Sequence, residues 1–384
     1  MLQLRLVELE HKGIFLMKRL RIGISARGLN SYTSGPNEYI AGLTNELIHQ
    51  AAGKHEIFVY YNTLRLLGSF AAANERVVLG NNAFFWDHLF LPLALLRDKL
   101  DLVIYPKGTI PVWSPSGNAP IMLDLGYFYP ELNAYKPANT LYMRQAMQYA
   151  AWKSSLIFTI SEFTRQDVIR LLKVKPERVY NLYGAASGQY KRVTDSSHLE
   201  AVQKKYNLSK TFIFYPTNLS PRKNFPRLLD AFEKVQEKIP HHLYFTGQIS
   251  WNSQGVNKQL ERLSPRVHRM GHVPVNDMAA IYSLAQFAIY PSLFEGLGFP
   301  ILEAFQCGTP LMASNQSSIP EVAGKAALIV DAFSSESIAE GLLKMASDAD
   351  LRKKLVSAGY ERVQMFTWEN SVKVLLDAAE KKFP

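Results

Sequence analysis

At 384 residues and 43.4 kDa the chain exceeds what one hydrophobic core usually holds, so two domains are expected. Its net charge of +10 is spread, with 22 Lys/Arg against 16 Asp/Glu in residues 1–200 and 21 against 17 in the remainder, which argues against a basic nucleic-acid-binding domain. Cys307 is the single cysteine, which excludes an intrachain disulfide and suits a reducing, cytoplasmic compartment; the longest apolar run, Leu89–Leu96, is broken by Pro92 and falls far below the ~20 residues of a membrane span.

The first sixteen residues carry acidic side chains and lack both a long apolar core and a small-residue cleavage site, so no secretory signal is expected and the fold is expected from Met17. Strands are predicted at Leu20–Ser25, Glu56–Tyr61, Arg76–Leu79, Asp101–Tyr105, Ala119–Asp124, Ser155–Ile160 and Arg178–Tyr183. Helices fall between several of them, including Glu38–Gln50 and Arg165–Leu172. Such alternation implies a doubly wound parallel sheet, which binds ligands beyond the carboxyl ends of its strands. The loop Leu29–Glu38 contains Gly35 in Ser34-Gly35-Pro36, a pattern that suits an ordinary turn or the presentation of N–H groups to a phosphate. Asp124, at a strand end, either caps the next element or enters a site. Ser161 and Thr164 read as a structural helix cap, and the polar, aperiodic Gly184–Glu200 as a linker between domains at 17–190 and 200–366.

A second series follows, with strands at Thr211–Pro216, His242–Gly247, Val267–Met270, Gln286–Tyr290 and Pro310–Ser314, and helices at Pro226–Ile239 and Phe366–Phe383. After its first strand comes TNLSPRKN, Thr217–Asn224, where Arg222 and Lys223 either neutralise a diphosphate or form solvated surface. His272 reads as a partly exposed loop histidine. The most informative stretch is Pro291–Pro310, PSLFEGLGFPILEAFQCGTP. Gly296 and Gly298 supply backbone freedom, and Pro300 suits the first position of a helix ending at Cys307 before Gly308 and Pro310. Glu303 then lies in the first turn, whose free N–H groups favour an anion, with Glu295 on the loop before it. On one helix the two glutamates would stand roughly 12 Å apart along the axis, too far for a retaining glycosidase pair, so two contacts to one ligand fit better than a shared hydrolytic role. The plainer alternative is a capped helix with a solvated Glu295. Cys307 reads as packing. The chain has no H-E-x-x-H, cysteine pair, Asp-x-Asp or G-x-S-x-G, so no metal site, cofactor or serine-hydrolase elbow is expected.

The string FEGLGFPILEA resembles the E-x7-E signature of retaining nucleotide-sugar glycosyltransferases of family 4, which have the GT-B fold, and SIPEVAGKAALIVD, Ser318–Asp331, is similar to the segment that follows it there. The Pro-Arg-Lys-Asn string resembles the donor-phosphate loop of the mannosyltransferase-like branch. The resemblance implies two Rossmann-like α/β domains with parallel sheets facing a cleft, the acceptor on the first, the nucleotide-sugar on the second, and the terminal helix, 367–384, crossing back to the first. It implies that Arg222 and Lys223 stabilise the departing diphosphate and that Glu295 orients the donor sugar. Glu303 would accept from ribose hydroxyls, with Gly298 and Phe299 meeting hydroxyls or phosphate through their backbone. Gly296, Asn218 and Gly35 would border the donor, and the loop holding Val273 would meet the base. The segment Ile121–Leu132 resembles one in which a His-Asp pair ends a strand; Leu123 stands at the histidine position, beside Asp124. The expected activity is retaining transfer of a sugar, mannose from GDP-mannose first, to a glycan or lipid-linked acceptor. No metal, cofactor or nucleic acid would take part, and a peripheral contact at the inner membrane face stays open. A silent sugar-nucleotide binder and a GT-B epimerase or phosphorylase remain alternatives.

Overall fold

The computed structural model describes residues 18–29, 35–247 and 254–384. The expected start at Met17, the segment before it and residues 30–34 of the glycine loop lie outside these.

Seven parallel strands build the first sheet: β1 (Arg21–Ser25), β2 (Glu56–Tyr61), β3 (Asn74–Val77), β4 (Leu102–Tyr105), β5 (Gly117–Met122), β6 (Ile157–Thr159) and β7 (Val179–Asn181), in the order β3-β2-β1-β4-β5-β6-β7. Six more build the second: β8 (Phe212–Tyr215), β9 (His242–Thr246), β10 (Val267–Gly271), β11 (Phe287–Tyr290), β12 (Leu311–Ser314) and β13 (Ala327–Val330), in the order β10-β9-β8-β11-β12-β13. The order reverses between β1 and β4 and again between β8 and β11, the places where an open α/β sheet leaves a ligand crevice. Strands covered on both faces should be apolar throughout rather than alternating. LVIY in β4, FIFY in β8 and FAIY in β11 are of that kind, with every residue buried.

The first sheet carries α1 (Gly35–Ala51), α2 (Leu91–Asp98), α3 (Pro137–Lys153) and α4 (Glu162–Leu172). The second carries α5 (Ser196–Lys205), α6 (Phe225–Val235), α7 (Gln254–Leu263), α8 (Val275–Leu284), α9 (Phe299–Gln306), α10 (Ile319–Ala323), α11 (Ser335–Ser347) and α12 (Ala349–Val363). The last helix, α13 (Trp368–Lys382), is capped by Thr367 and returns to the first sheet. Trp368 meets Tyr39 of α1 edge-on at 5.3 Å, in a notch that Gly42 leaves open, since a Cβ there would lie 2.4 Å from the indole. Glu380 pairs with His55 at 2.8 Å.

Several boundaries differ from the sequence reading. β3 begins two residues early, at Asn74, because pairing with β2 starts at Asn74 opposite Phe58. β13 was not predicted: its four residues, ALIV, are too short a run for periodicity to distinguish strand from helix. α1 begins at Gly35, three residues before the predicted start. The stretch Gly184–Glu200 is not a free linker. Asp195 accepts from the N–H groups of Ser197 and His198 and starts α5 inside it, while Arg192 Nη1 donates to the Gly308 carbonyl at 2.9 Å. Tyr190 packs edge-on against Tyr282.

Candidate functional site

Between the two sheets lies a cleft of about 650 Å³, a size typical of small-molecule sites. Gly35, Leu123 and Asp124 line it from the first domain; Asn218, Arg222, Lys223, Val273, Glu295, Gly296, Gly298, Phe299 and Glu303 line it from the second. The residues expected from sequence at the site therefore share one cavity. His272 lines it too.

The cation-bearing loop is fastened to the loop that carries Glu295. Pro221–Lys223 forms a single 3-10 turn that ends at Asn224, whose φ of 61° is in the left-handed region that asparagine tolerates. The buried Asn224 amide donates to the carbonyls of Pro291 at 3.0 Å and Ala332 at 2.7 Å, and Leu293 N–H donates to the Arg222 carbonyl at 2.7 Å. Glu295 N–H donates to Ser317 Oγ at 2.8 Å, and Ser318 Oγ donates to the Glu295 carbonyl at 3.0 Å. The backbone on both sides of the charges is thus held before any ligand arrives.

Lys223 Nζ lies 2.6 Å from Glu295 Oε1, donates to Tyr290 Oη at 3.0 Å and sits over the Tyr290 ring. Glu295 is not solvated, as the plainer reading had it, but 6% exposed. Burial alone would raise its carboxyl, yet the charges of Lys223 and Arg222 outweigh burial and hold it below the usual carboxylate range. Burial lowers the Lys223 ammonium, and Glu295 opposes that shift. Across the cleft, Arg222 Nη1 pairs with Asp124 Oδ2 at 3.0 Å. Burial works against the guanidinium charge, but Asp124 and Glu295 overcome it and raise its pKa. Asp124 has two partners: its Oδ1 accepts from Gly126 N–H at 2.9 Å while Oδ2 accepts from Arg222.

The two glycines of the signature act differently. Gly298 takes a φ of 90°, which starts α9 at Phe299 and puts Pro300 second. Glu303 is consequently in the second turn rather than the first, away from the free N–H groups. Its Oε2 accepts from Tyr282 Oη at 2.8 Å, and burial, reinforced by Glu38 on α1, pushes its carboxyl up to about 8. Gly296 is needed for close approach: a Cβ there would lie 1.9 Å from the Leu123 carbonyl oxygen. Here the end of β5 touches the second domain's loop. A Cβ on Gly247 would likewise lie 2.3 Å from the Thr217 carbonyl, which places Asn218 at the cleft wall. Gly35 faces the Phe299 ring.

Three contributors were missed. Glu38 lines the cleft, and burial raises its carboxyl to about 7. Tyr290 ends a strand that reads only as core. Glu321 of α10 accepts from Glu162 N–H at 2.6 Å and Phe163 N–H at 2.9 Å, joining the second domain to the start of α4, while Ser161 caps α4 from within as predicted. The Glu38 and Glu321 partnerships cross between domains, and Tyr290 meets Lys223 from 67 residues away, which a single sequence does not display.

Residues 199–362 match the family model of glycosyl transferases group 1. Over 249 residues, 64% of this chain and 65% of the relative, the sequence is 29% identical to O-antigen chain mannosyltransferase B of Escherichia coli. It is 26% identical over 251 residues to the serotype-specific mannosyltransferase WbdA of Escherichia coli, covering 62% of this chain and 30% of that one. The chain thus spans less than two thirds of these relatives' length. In structure it resembles sucrose-phosphate synthase from Thermosynechococcus elongatus, with a TM-score of 0.74 at 17% identity over 95% of this chain and 99% of that one. The two parallel α/β domains enclosing this cleft have GT-B architecture, and the second of them matches the family model of glycosyl transferases group 1.

Proposed function

We propose that the chain transfers mannose from GDP-mannose to a glycan or lipid-linked acceptor during polysaccharide assembly, with retention at the anomeric carbon and with no metal or cofactor beyond the donor. The observation that carries this reading is the quartet of Arg222, Lys223, Asp124 and Glu295 in the cleft, two cations held in place by two carboxylates. A bound diphosphate replaces the carboxylates as the cations' partner, Arg222 as a planar fork and Lys223 as a point charge. Glu295, released from Lys223, accepts from a hydroxyl of the donor sugar. The bond from the anomeric carbon to the diphosphate oxygen breaks with its electron pair going to that oxygen. Arg222 and Lys223 stabilise the charge that develops there. The acceptor hydroxyl adds on the face the diphosphate leaves, and its proton passes to the departing phosphate oxygen.

Glu303 and the backbone of Gly298 and Phe299 hold the ribose and phosphate, and the loop of His272 and Val273 borders the base. Mannose is favoured because both sequence relatives above are named as mannosyltransferases. A thermal-shift series with GDP, UDP and ADP identifies the base, since a ligand that binds the native state raises its apparent stability. Nucleotide release is then assayed with the matching sugar donor and an acceptor panel, with and without EDTA. Release unaffected by EDTA is expected; release that EDTA abolishes and Mg2+ restores would overturn the metal-free reading. Absence of release with any donor would leave a sugar-nucleotide binder.

A further inference from the structure

The segment 83–98 that carries α2 is apolar on both of its sides. Trp86, Leu91 and Leu95 are buried in the first domain's core, while Phe84, Phe85 and Leu93 point outward and are each more than half exposed. A helical segment that is hydrophobic all round calls for a second apolar environment opposite the core. The same surface continues onto two neighbours. Trp113 in the loop after β4 is 47% exposed, and Leu141 and Trp152 on α3 are 61% and 73% exposed. Among the described residues, 11 of the 18 exposed large apolar side chains fall in these three segments, so the pattern is a cluster rather than scatter.

His88 locks the segments together: its Nδ1 accepts from Val112 N–H at 3.2 Å, and its Nε2 lies 3.4 Å from Tyr142 Oη on α3. Tyr149 Oη donates to the Val112 carbonyl at 2.7 Å. The charge around this face has one sign. Residues 132–161 contain no Asp or Glu, and α3 with its N-cap residue presents exposed Lys136, Arg144 and Lys153. The two carboxylates of the first segment are already paired, Asp87 with Arg27 and Asp98 with Arg76. Exposed Trp, Phe and Leu rimmed by unopposed cations are the composition of an interfacial membrane-binding surface. Among the described residues no helix is long and apolar enough to span a bilayer, so the face would lie on the membrane rather than cross it.

We propose that this face of the first domain docks on an anionic lipid bilayer, seating its aromatic side chains at the headgroup level with Lys136, Arg144 and Lys153 on lipid phosphates. The face adjoins the cleft. Asp87 holds Arg27 just beyond the end of β1, and Tyr127, which accepts from Asn139 of α3, stacks on Tyr135 near Asp124 and Arg222. Docking therefore brings the acceptor side of the cleft to the lipid surface. That orienting consequence rests on the transferase reading; docking itself does not.

The test is co-sedimentation of the full chain with phosphatidylcholine vesicles, with and without about one third phosphatidylglycerol, with a GDP thermal shift run in parallel as a separate readout of the cleft. The wild type is expected to sediment with the anionic vesicles and to be released by salt. Arg144→Glu with Lys153→Glu should lower partitioning by at least about tenfold, and Phe85→Ser with Trp113→Ser and Trp152→Ser should lower it similarly, both with the nucleotide shift unchanged. No sedimentation of the wild type, or equal sedimentation with neutral vesicles, overturns the proposal. So does a wild-type dimer that the triple variant dissolves, which would assign the face to a second copy of the chain. Because the double variant alters only exposed charges, a triple variant that failed to fold would leave the test standing.

Discussion

Glu303 is a carboxyl that the fold keeps from water, and its two roles predict opposite responses to substitution. The unfolded chain releases this proton near 4.5 and the folded chain near 8, so between those values the folded state holds more protons and stability falls as pH rises, by about 1.4 kcal/mol per pH unit from a group titrating alone. Glu303→Gln keeps the shape and removes the titration. Its melting temperature should therefore decline less than that of the wild type from pH 5 to 8, and parallel curves would show that Glu303 does not titrate there. In the proposed function Glu303 also accepts from ribose hydroxyls, so Glu303→Ala should lower GDP affinity by about 0.5–1.5 kcal/mol at neutral pH, where the carboxyl is protonated, read by calorimetric titration. Lys223 and Glu295 make a different case, because removing one member of a buried pair strands the other charge. Lys223→Met should destabilise by about 3–5 kcal/mol in denaturant, and adding Glu295→Gln should recover most of that loss. Nucleotide release should stay abolished in both. Recovery of turnover together with stability would reduce the pair to a structural role.

Most elements were legible because parallel strands buried on both faces announce themselves as short apolar runs, and because caps such as Ser161 and Thr367 act within a few residues of their own helix. The second-domain loops were legible through the strings FEGLGFPILEA and PRKN. What stayed hidden were contacts between distant segments: Glu38 beside Glu303, Glu321 on the start of α4, and the reason for Gly296. In a single sequence that glycine reads as turn flexibility, whereas the structure sets it against the Leu123 carbonyl. The difference is testable. An added methyl 1.9 Å from a backbone oxygen cannot be absorbed by a side-chain rotamer, so Gly296→Ala must push the 291–298 loop away from the end of β5. A stability loss of about 1–3 kcal/mol is expected, with turnover falling far more than nucleotide affinity, because the loops proposed for the base and ribose all lie on the second domain. Full turnover in Gly296→Ala would mean that the two domains need not meet at this point.

At the scale of the whole molecule the two domains are joined by contacts of different chemistry. Arg222 and Asp124 hold each other through charges that the proposed diphosphate would draw away. The other contacts involve no such exchange: α13 packs on α1 through Trp368, Tyr183 meets Phe366 edge-on at 5.4 Å, and Glu321 accepts two N–H groups at the start of α4. A carboxylate on a helix N-terminus is favoured by both hydrogen bonding and the helix dipole, and hydrogen bonds to charged groups contribute about 1.5–3 kcal/mol each. Glu321 should therefore act as a pivot, holding the domains in register while the Arg222–Asp124 contact opens and closes. Glu321→Ala leaves the cleft residues in place, so GDP affinity is expected to stay within about twofold of wild type. Loss of the cross-domain bonds should instead widen the range of interdomain angles, seen as a larger radius of gyration in small-angle scattering of the GDP-bound protein and as lowered turnover. A variant whose scattering and turnover both match the wild type would show that α13 alone fixes the hinge, and truncation before Trp368 would then be the change that frees it.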